Sequence, residues 1–118
     1  MGISWNDKEP IYRQLHDRLV DMVLEGVVRD GDMLPSVRRI STENRINPIT
    51  VSKALQLLVD EALVEKRRGL GMFLIEGASE RLAAGERSRF MNEEWPEIVQ
   101  KMNRLGISLS DIAPQEAS

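Results

Sequence analysis

LPSVRRISTENRINPITVSKALQLLVDEA, residues 34–62, has the pattern of two short helices joined by a tight turn. The second helix is predicted to begin at Asn47, because an Asn side chain can accept hydrogen bonds from the N–H groups that a helix start leaves unpaired. Pro48 then occupies the first helical position, where its missing N–H costs little. The apolar residues that follow recur at helical spacing and predict one buried stripe: Val51, Ala54, Leu55 and Leu58.

The opposite side of this helix carries short or hydrogen-bonding side chains, one cation and one aliphatic. These are Ile49, Ser52, Lys53 and Gln56, with Thr50 at the flank. A face that meets only water would usually be richer in Glu and Lys. Because the angle of Ile49 opposes the buried stripe, contact with a thymine methyl group is the better interpretation of this residue than burial in the core.

The first helix is predicted from Ser36, as its N-cap, to Asn44. Its apolar residues point inward, and Arg38 and Arg39 point outward. Asn44, Arg45 and Ile46 are expected to form the turn between the helices. Asn tolerates a positive φ better than most residues, and Ile46 is expected to be buried. Two short helices in this relation form a helix-turn-helix, whose second helix enters the major groove of DNA.

A β-hairpin is predicted directly after the second helix. Leu63 to Arg67 and Met72 to Ile75 are short apolar-rich runs, and the turn between them contains two glycines. A hairpin in this place is the wing of a winged helix-turn-helix. Its basic residues near the tip could reach phosphates or the minor groove: Lys66, Arg67 and Arg68.

A helix is expected on each side of this unit. The first runs from Pro10 to about Glu25 and ends at Gly26. Its apolar face is predicted to consist of Ile11, Leu15, Leu19, Met22 and Val23. The second runs from about Ser79 through Asn92, with a break or bend before Pro96. Gly106 should end the piece after the break, and Ser108 with Asp111 should cap a last short turn. Residues 114–118 are expected to be disordered.

The tail carries a sustained apolar stripe, here called the tail stripe: Phe90, Met91, Trp95, Ile98, Val99, Met102 and Leu105. We interpret it first as a homodimer interface, because one helix-turn-helix reads only one half-site. Burial of each such side chain contributes ~1.5–3 kcal/mol. Two alternatives stay open: the stripe folds back onto its own winged domain, or it lines a pocket for a small-molecule effector, which nothing else in the sequence indicates.

Composition excludes several classes of protein. The chain has no Cys, one His, 42% hydrophobic and 30% charged residues, as in a soluble globular protein. It has neither a metal-ligand cluster nor a phosphate-binding glycine loop, so no catalytic residue, metal or cofactor is predicted. His16 is expected at the surface or in a hydrogen bond. No apolar run approaches ~18 residues and no signal-like start occurs, so a cytoplasmic protein without membrane contact is predicted.

The charge is unevenly distributed along the chain. The formal net charge is −3, but residues 35–75 contain seven basic and four acidic residues and so carry +3. The residues before and after this segment carry −3 each: four basic and seven acidic in residues 1–34, five and eight in residues 76–118. The positive segment holds the helix-turn-helix, and an acidic protein with a local basic face can bind phosphates without binding every polyanion.

At LPSVRRI, NPITVSKAL and EKRRGLGMFL the chain resembles the GntR family of bacterial transcription regulators. The resemblance begins at PIYRQL and extends from Pro10 to Ile75. The NPxTVxKA form of the second helix and the short tail are similar to the YtrA subfamily, in which the tail is a helical dimerisation element. The resemblance implies a winged helix-turn-helix that binds operator DNA as a homodimer, usually as a repressor.

The family's DNA-contacting positions fall here on Arg38, Asn47, Ile49, Thr50, Ser52, Lys53 and Gly69. Ser36, Arg39, Arg67 and Arg68 complete the predicted interface. In two places the chain departs from its relatives. Asn44-Arg45 stands where they often have Leu-Gly, which could shift the turn or add a phosphate contact. Leu70 stands at the tip of the wing where they often have a basic residue, so wing contacts should fall to Arg67 or Arg68.

The predicted fold is therefore mainly α with a small β-hairpin: a winged helix-turn-helix DNA-binding domain over residues 10–76 and a C-terminal helical dimerisation element over residues 77–113. The predicted function is a DNA-binding transcription regulator that binds double-stranded, near-palindromic operator DNA as a homodimer. The alternative is a winged-helix module for protein–protein interaction without DNA binding. A larger apolar patch on the outer face of residues 47–56 would favour that alternative. An enzyme is not expected.

Overall fold

The computed structural model describes residues 5–113, which form a mainly helical chain with a two-stranded sheet. The predicted fold class, a winged helix-turn-helix followed by a helical tail, is confirmed. The elements are, in order, α1 (Ile11–Leu24), α2 (Val37–Asn44), α3 (Pro48–Asp60), β1 (Val64–Arg67), β2 (Gly71–Leu74), α4 (Ala78–Arg89), a π-helical segment (Phe90–Glu94), α5 (Trp95–Leu105) and α6 (Leu109–Ile112).

The core of the winged helix lies where α1 and α2 pack against α3. The predicted stripe of α3 is confirmed, since its four residues are between 0% and 4% exposed. Leu15, Leu19 and Val23 bury the facing side of α1. Ile11 had been expected on the same apolar face, but it is exposed because it opens the helix, at the edge of the packed region.

The wing is a small antiparallel sheet with a third extended piece beside it. β1 pairs with β2 in the register Val64↔Leu74 to Arg67↔Gly71. Met33 pairs with Phe73, and the Leu34 N–H donates to the Met72 carbonyl at 2.8 Å. The predicted hairpin is confirmed, with each strand within one residue of its expected bounds.

The first turn of α4 is fixed to the loop after α1. The Asp30 carboxylate accepts from Gly77 N at 2.8 Å, from Ser79 N at 3.1 Å and from Ser79 Oγ at 2.8 Å. These hydrogen bonds, that of the Ser79 side chain above all, lower the pKa of Asp30. The Arg81 guanidinium donates to the carbonyl of Ala62, just after α3. The tail helix therefore starts from a well-anchored point.

The chain forms two compact units, one up to Ala83 and one from Ala84 onward, and the division falls inside α4. The break predicted before Pro96 is confirmed as an interruption of the α-helix, and it takes the form of a π-helical turn at Phe90–Glu94. The Trp95 N–H bonds to the Phe90 carbonyl, five residues back. Such a turn contains one extra residue, so the carbonyl that would crowd the proline ring in an α-helix is displaced.

The end of the tail follows its local signals. Gly106 ends α5 in the left-handed conformation, with φ 69°. The Ser108 N–H donates to Asp111 Oδ2 at 2.8 Å and forms the predicted cap, which lowers the pKa of Asp111. The expectation of disorder for residues 114–118 lies outside the described residues. No helix within residues 5–113 is both long and apolar enough to cross a membrane.

His16 is buried, at 8% exposure, and is not at the surface. Its Nδ1 lies 2.9 Å from Asp17 Oδ1, and its Nε2 lies 2.7 Å from Glu61 Oε1 at the end of α3. A neutral imidazole has only one N–H, so both carboxylates can accept only when the ring is protonated. Burial alone would lower the pKa of His16, but the hydrogen bonds and charges of Glu61 and Asp17 outweigh it, and the pKa is raised.

This arrangement predicts a pH-dependent contribution to folding. Because the pKa of His16 is higher in the folded than in the unfolded chain, the stabilisation is fully present below the unfolded value and is lost as pH rises through the folded value. Glu61→Gln should therefore lower the free energy of unfolding by about 1–2 kcal/mol near pH 5, and by clearly less near pH 9. Urea denaturation at both pH values measures this, with Glu9→Gln as the control. An equal loss at both pH values would contradict the assignment.

Candidate nucleic-acid interface

The recognition helix α3 begins as its sequence predicts. Asn47 Oδ1 accepts from the Ile49 N–H at 2.8 Å, and Pro48 occupies the first turn. The cap uses the oxygen of the Asn47 side chain and leaves its amide nitrogen without a hydrogen bond among the described residues. Asn47 can therefore cap the helix and donate to DNA at the same time.

The outer face of α3 lies open to solvent. Ile49 is 77% exposed, which rules out the core as its environment in the folded chain. Ser52, Lys53 and Gln56 are exposed beside it, and Thr50 is half-buried. This face offers hydroxyl and amide groups, one cation and one aliphatic side chain, a set suited to base edges and thymine methyl groups.

Two side chains on this face are held by other residues of the chain. Lys53 Nζ lies 4.2 Å from the centre of the Tyr12 ring on α1, a cation–π distance. Gln56 Nε2 donates to Asp60 Oδ1 at 2.9 Å, one turn further along α3. Lys53 thus has a defined position before any phosphate or base is met.

The two arginines of α2 differ. The Ser36 hydroxyl accepts from the Arg39 N–H at 3.0 Å, which confirms Ser36 as the N-cap. Arg39 Nε lies 3.1 Å from Glu43 Oε2 in an exposed ion pair. Within residues 5–113, the exposed Arg38 guanidinium has no hydrogen bond or ion pair, so it is free to bind DNA. An exposed i, i+4 pair contributes only ~0.3–0.5 kcal/mol, so Arg39 can also exchange its partner at little cost.

The inter-helix turn differs from the prediction. Arg45, not Asn44, adopts the left-handed conformation, with φ 55°. The Asn44 side chain donates to the Ile40 carbonyl at 3.0 Å, so Asn44 stays in the last turn of α2 and the sharp turn falls on the next residue. Ile46 is buried as expected, and the Ser41 hydroxyl donates to its carbonyl at 2.6 Å.

The predicted wing cations also separate into two kinds. The Arg67 guanidinium lies 4.2 Å from the centre of the Phe73 ring, and its Nε lies 2.7 Å from Glu65 Oε2. Arg68 is exposed, with no side-chain hydrogen bond or ion pair among the described residues. Gly69 has φ 77° and lies in the turn itself. Arg68 is therefore the more available of the two for a phosphate contact.

The sequence interpretation missed the residues that hold these cations. Glu43 could have been found, since it stands four residues after Arg39. Glu65 stands two residues before Arg67 on one face of a strand, which is a local signal as well. Tyr12 could not have been found, because its contact with Lys53 exists only after α1 has packed on α3. No group of three or more His, Asp or Glu side chains within residues 5–113 could hold a metal ion.

Residues 11–74 match the sequence profile of the family described as "Bacterial regulatory proteins, gntR family". The chain belongs to the GntR family. The match covers α1 through β2, the same elements that build the winged helix and its exposed recognition face. The protein is therefore a DNA-binding transcription regulator, and its relatives are regulators and not enzymes.

Among relatives of this GntR protein, the HTH-type transcriptional repressor YtrA of Bacillus subtilis is 33% identical over 103 residues, which are 87% of this chain and 78% of YtrA. A GntR family transcriptional regulator from Listeria monocytogenes has a similar structure, with a TM-score of 0.74, 27% identity, and coverage of 92% of this chain and 93% of that one. The DNA-binding domain of AraR, solved in complex with operator ORX1, has a TM-score of 0.57 at 18% identity over 63% of this chain and 94% of that one, and shows the shared fold.

The free Arg38 and Arg68 predict two different losses. Arg38→Ala should weaken binding to operator DNA by ~1–3 kcal/mol, with little effect on scrambled DNA, if its planar guanidinium forks onto a guanine edge. Arg68→Ala should weaken binding to operator DNA and binding to scrambled DNA by similar factors, as expected of a phosphate contact. Fluorescence anisotropy titrations on a duplex selected by the protein from a random library, and on its scrambled version, measure both.

Arg29→Ala is the matched control, since it removes an exposed arginine from the loop after α1. It should leave both affinities unchanged. If Arg38→Ala binds the operator as tightly as the wild type does, Arg38 is not part of the interface. If Arg68→Ala loses affinity for the operator but not for scrambled DNA, its assignment to a phosphate contact is wrong.

Proposed function

We propose that this protein is a homodimeric repressor that binds a near-palindromic operator. Two copies join through the tail stripe, each α3 enters the major groove of one half-site, and each wing lies on the adjacent backbone or minor groove. In this division of work residues 10–76 bind DNA and residues 77–113 dimerise. The repressor assignment is supported by the similarity to YtrA. A small-molecule effector is not part of the proposal.

The observation that carries the dimer is the exposure of the tail stripe. Among residues 84–113 none is buried, although α5 presents apolar residues along one side. Phe90, Met91, Ile98 and Leu105 are exposed, and Trp95, Val99 and Met102 are half-buried. Because a contiguous apolar face of this kind normally meets a partner, a second copy of the same stripe is the occupant that also supplies the second half-site.

The DNA contacts follow from the exposed faces described above. Arg38, Ile49, Thr50, Ser52 and Lys53 face the bases or the adjoining phosphates. Ser36, Arg39 and Asn47 lie at the helix starts, and the wing adds Arg67, Arg68 and Gly69. The outer face of α3 supports DNA over a protein partner, because its exposed large apolar side chain is Ile49 alone among residues 47–56, whereas a protein-binding face needs a larger apolar patch.

Binding should be specific and strongly dependent on salt. If ~6–10 phosphates are contacted per dimer, affinity should fall ~10³–10⁵-fold between 50 and 200 mM salt. Footprinting on the DNA upstream of the protein's own gene should reveal two protected half-sites related by a two-fold axis. A protein that binds this DNA, and any duplex selected from a random library, no better than scrambled DNA at every salt concentration would contradict the proposed function.

Disruption of the tail stripe should separate the copies without unfolding the winged helix. Trp95→Asp combined with Met102→Asp places two charges in the stripe, and burying them in an interface would be costly. The double variant should sediment as a monomer at micromolar concentration and lose most of its operator affinity, while its circular dichroism and thermal transition report an intact winged helix. Analytical ultracentrifugation with a parallel DNA titration measures both effects.

Gln100→Asp combined with Asn103→Asp is the matched control, because it adds the same two charges at exposed polar positions of α5. This control should remain dimeric. A wild-type chain that is monomeric at micromolar concentration would remove the two-half-site mechanism, and dimers of the stripe variant would place the interface elsewhere.

A further inference from the structure

The tip of the wing presents an aliphatic side chain to solvent. The Leu70 N–H donates to the Arg67 carbonyl at 2.9 Å and closes a tight turn through Gly69. Gly69 and Gly71 have φ values of 77° and 132°, which L-residues with side chains rarely adopt. Leu70 between them is 67% exposed, so its side chain is open to solvent at the end of the turn, directly before β2.

Met33, from the extended piece beside the sheet, lies next to this turn. Met33 pairs with Phe73, and its Sδ lies 3.0 Å from where a Cβ at position 71 would be. A side chain at Gly71 would therefore displace Met33. The turn is fixed by its glycines and by the Leu70–Arg67 hydrogen bond, and Met33 occupies the space beside Gly71.

The cation next to the tip does not cover it. Arg67 is held back along the sheet by Phe73 and Glu65, while Arg68 and Lys66 remain exposed. The wing thus combines an apolar point with basic flanks, and it is continuous with α3 through the short connection before β1. Basic flanks would draw this part of the wing to the phosphates that border a groove.

We propose that Leu70 packs against the floor of the minor groove next to each half-site and selects A·T pairs there; this rests on the proposed function. A leucine offers no hydrogen-bond acceptor. The minor groove of G·C carries the guanine N2 amino group, which A·T lacks, and covering this donor with an aliphatic side chain leaves it unpaired. Apolar side chains are used at minor-groove base steps in other DNA-binding proteins.

The test varies the DNA by one functional group. A duplex selected by the full-length protein keeps its half-sites, and the base pairs outside them are changed symmetrically, one position at a time, to A·T, G·C or inosine·C. Inosine·C has the major-groove pattern of G·C without the N2 amino group in the minor groove. At the position under the wing, the wild-type protein should bind A·T and inosine·C alike and G·C about tenfold more weakly.

Leu70→Ala should reduce this discrimination to less than about twofold, since the shortened side chain no longer reaches the floor. Leu70→Gln should also restore binding to G·C, because its amide oxygen can accept from the guanine amino group. Val27→Ala is the matched control: it trims an aliphatic side chain of similar exposure, 62%, in the turn after α1, and should keep the full discrimination. Position 70 is exposed, and unchanged thermal transitions verify that each variant folds.

Three outcomes would overturn the inference: flank-independent binding by the wild type, discrimination retained in Leu70→Ala, or inosine·C behaving as G·C, which would assign the preference to the major groove. In each of these the operator is still bound, so the proposed function stands. Failure to select any duplex over scrambled DNA would instead remove the proposed function, and this inference with it.

Discussion

The burial of one side of α3 against α1 determines which side chains this protein can present to DNA. Val51, Ala54, Leu55 and Leu58 are almost completely removed from water. Rotating the helix about its axis would expose these residues and bury Ser52 and Lys53, at a cost of several kcal/mol from the apolar groups alone. The exposed face is therefore fixed by the core, and DNA meets a surface that is already oriented.

On this surface the cations are arranged in two ways. Lys53, Arg39 and Arg67 each have a partner within the chain: the Tyr12 ring, Glu43, and Phe73 with Glu65. Among residues 5–113, the guanidinium groups of Arg38 and Arg68 have no such partner. The exposed pairs are weak, so they restrict the conformations of the long side chains without preventing an exchange for phosphate. A basic segment in an otherwise acidic protein thereby has some of its cations held by partners within the chain.

The first turn of α4 is important for the proposed dimer, because α4 connects the winged helix to the tail stripe. Half-sites are read together only if their helix-turn-helix units are held at a fixed spacing. Asp30 fixes the first turn of α4 through three hydrogen bonds, and Arg81 bonds to the carbonyl of Ala62 at the end of the recognition helix. The first turn of α4 is thus fixed to the loop after α1 and to the residues that follow α3.

Much of the fold was already determined by local sequence. The caps at Ser36, Asn47 and Ser108 and the glycine turn of the wing depend on residues within a few positions of one another, and the stripe of α3 depends on spacing alone. The sequence also placed the candidate interface on α2, α3 and the wing, because an outer face is defined as soon as the inner one is known. The contact role of each of those residues stays a prediction.

Tertiary structure decided which groups are free and which are held. Lys53 meets Tyr12, and His16 meets Glu61, only after α1 has packed on α3, and Asp30 finds the start of α4 across a long separation in the chain. The left-handed residue of the inter-helix turn moved from Asn44 to Arg45, because the Asn44 amide bonds to the last turn of its own helix. These contacts join residues that are distant in sequence, and the left-handed position could be taken by either of two neighbouring residues. Only the packed chain determines which contact forms and which residue adopts the positive φ.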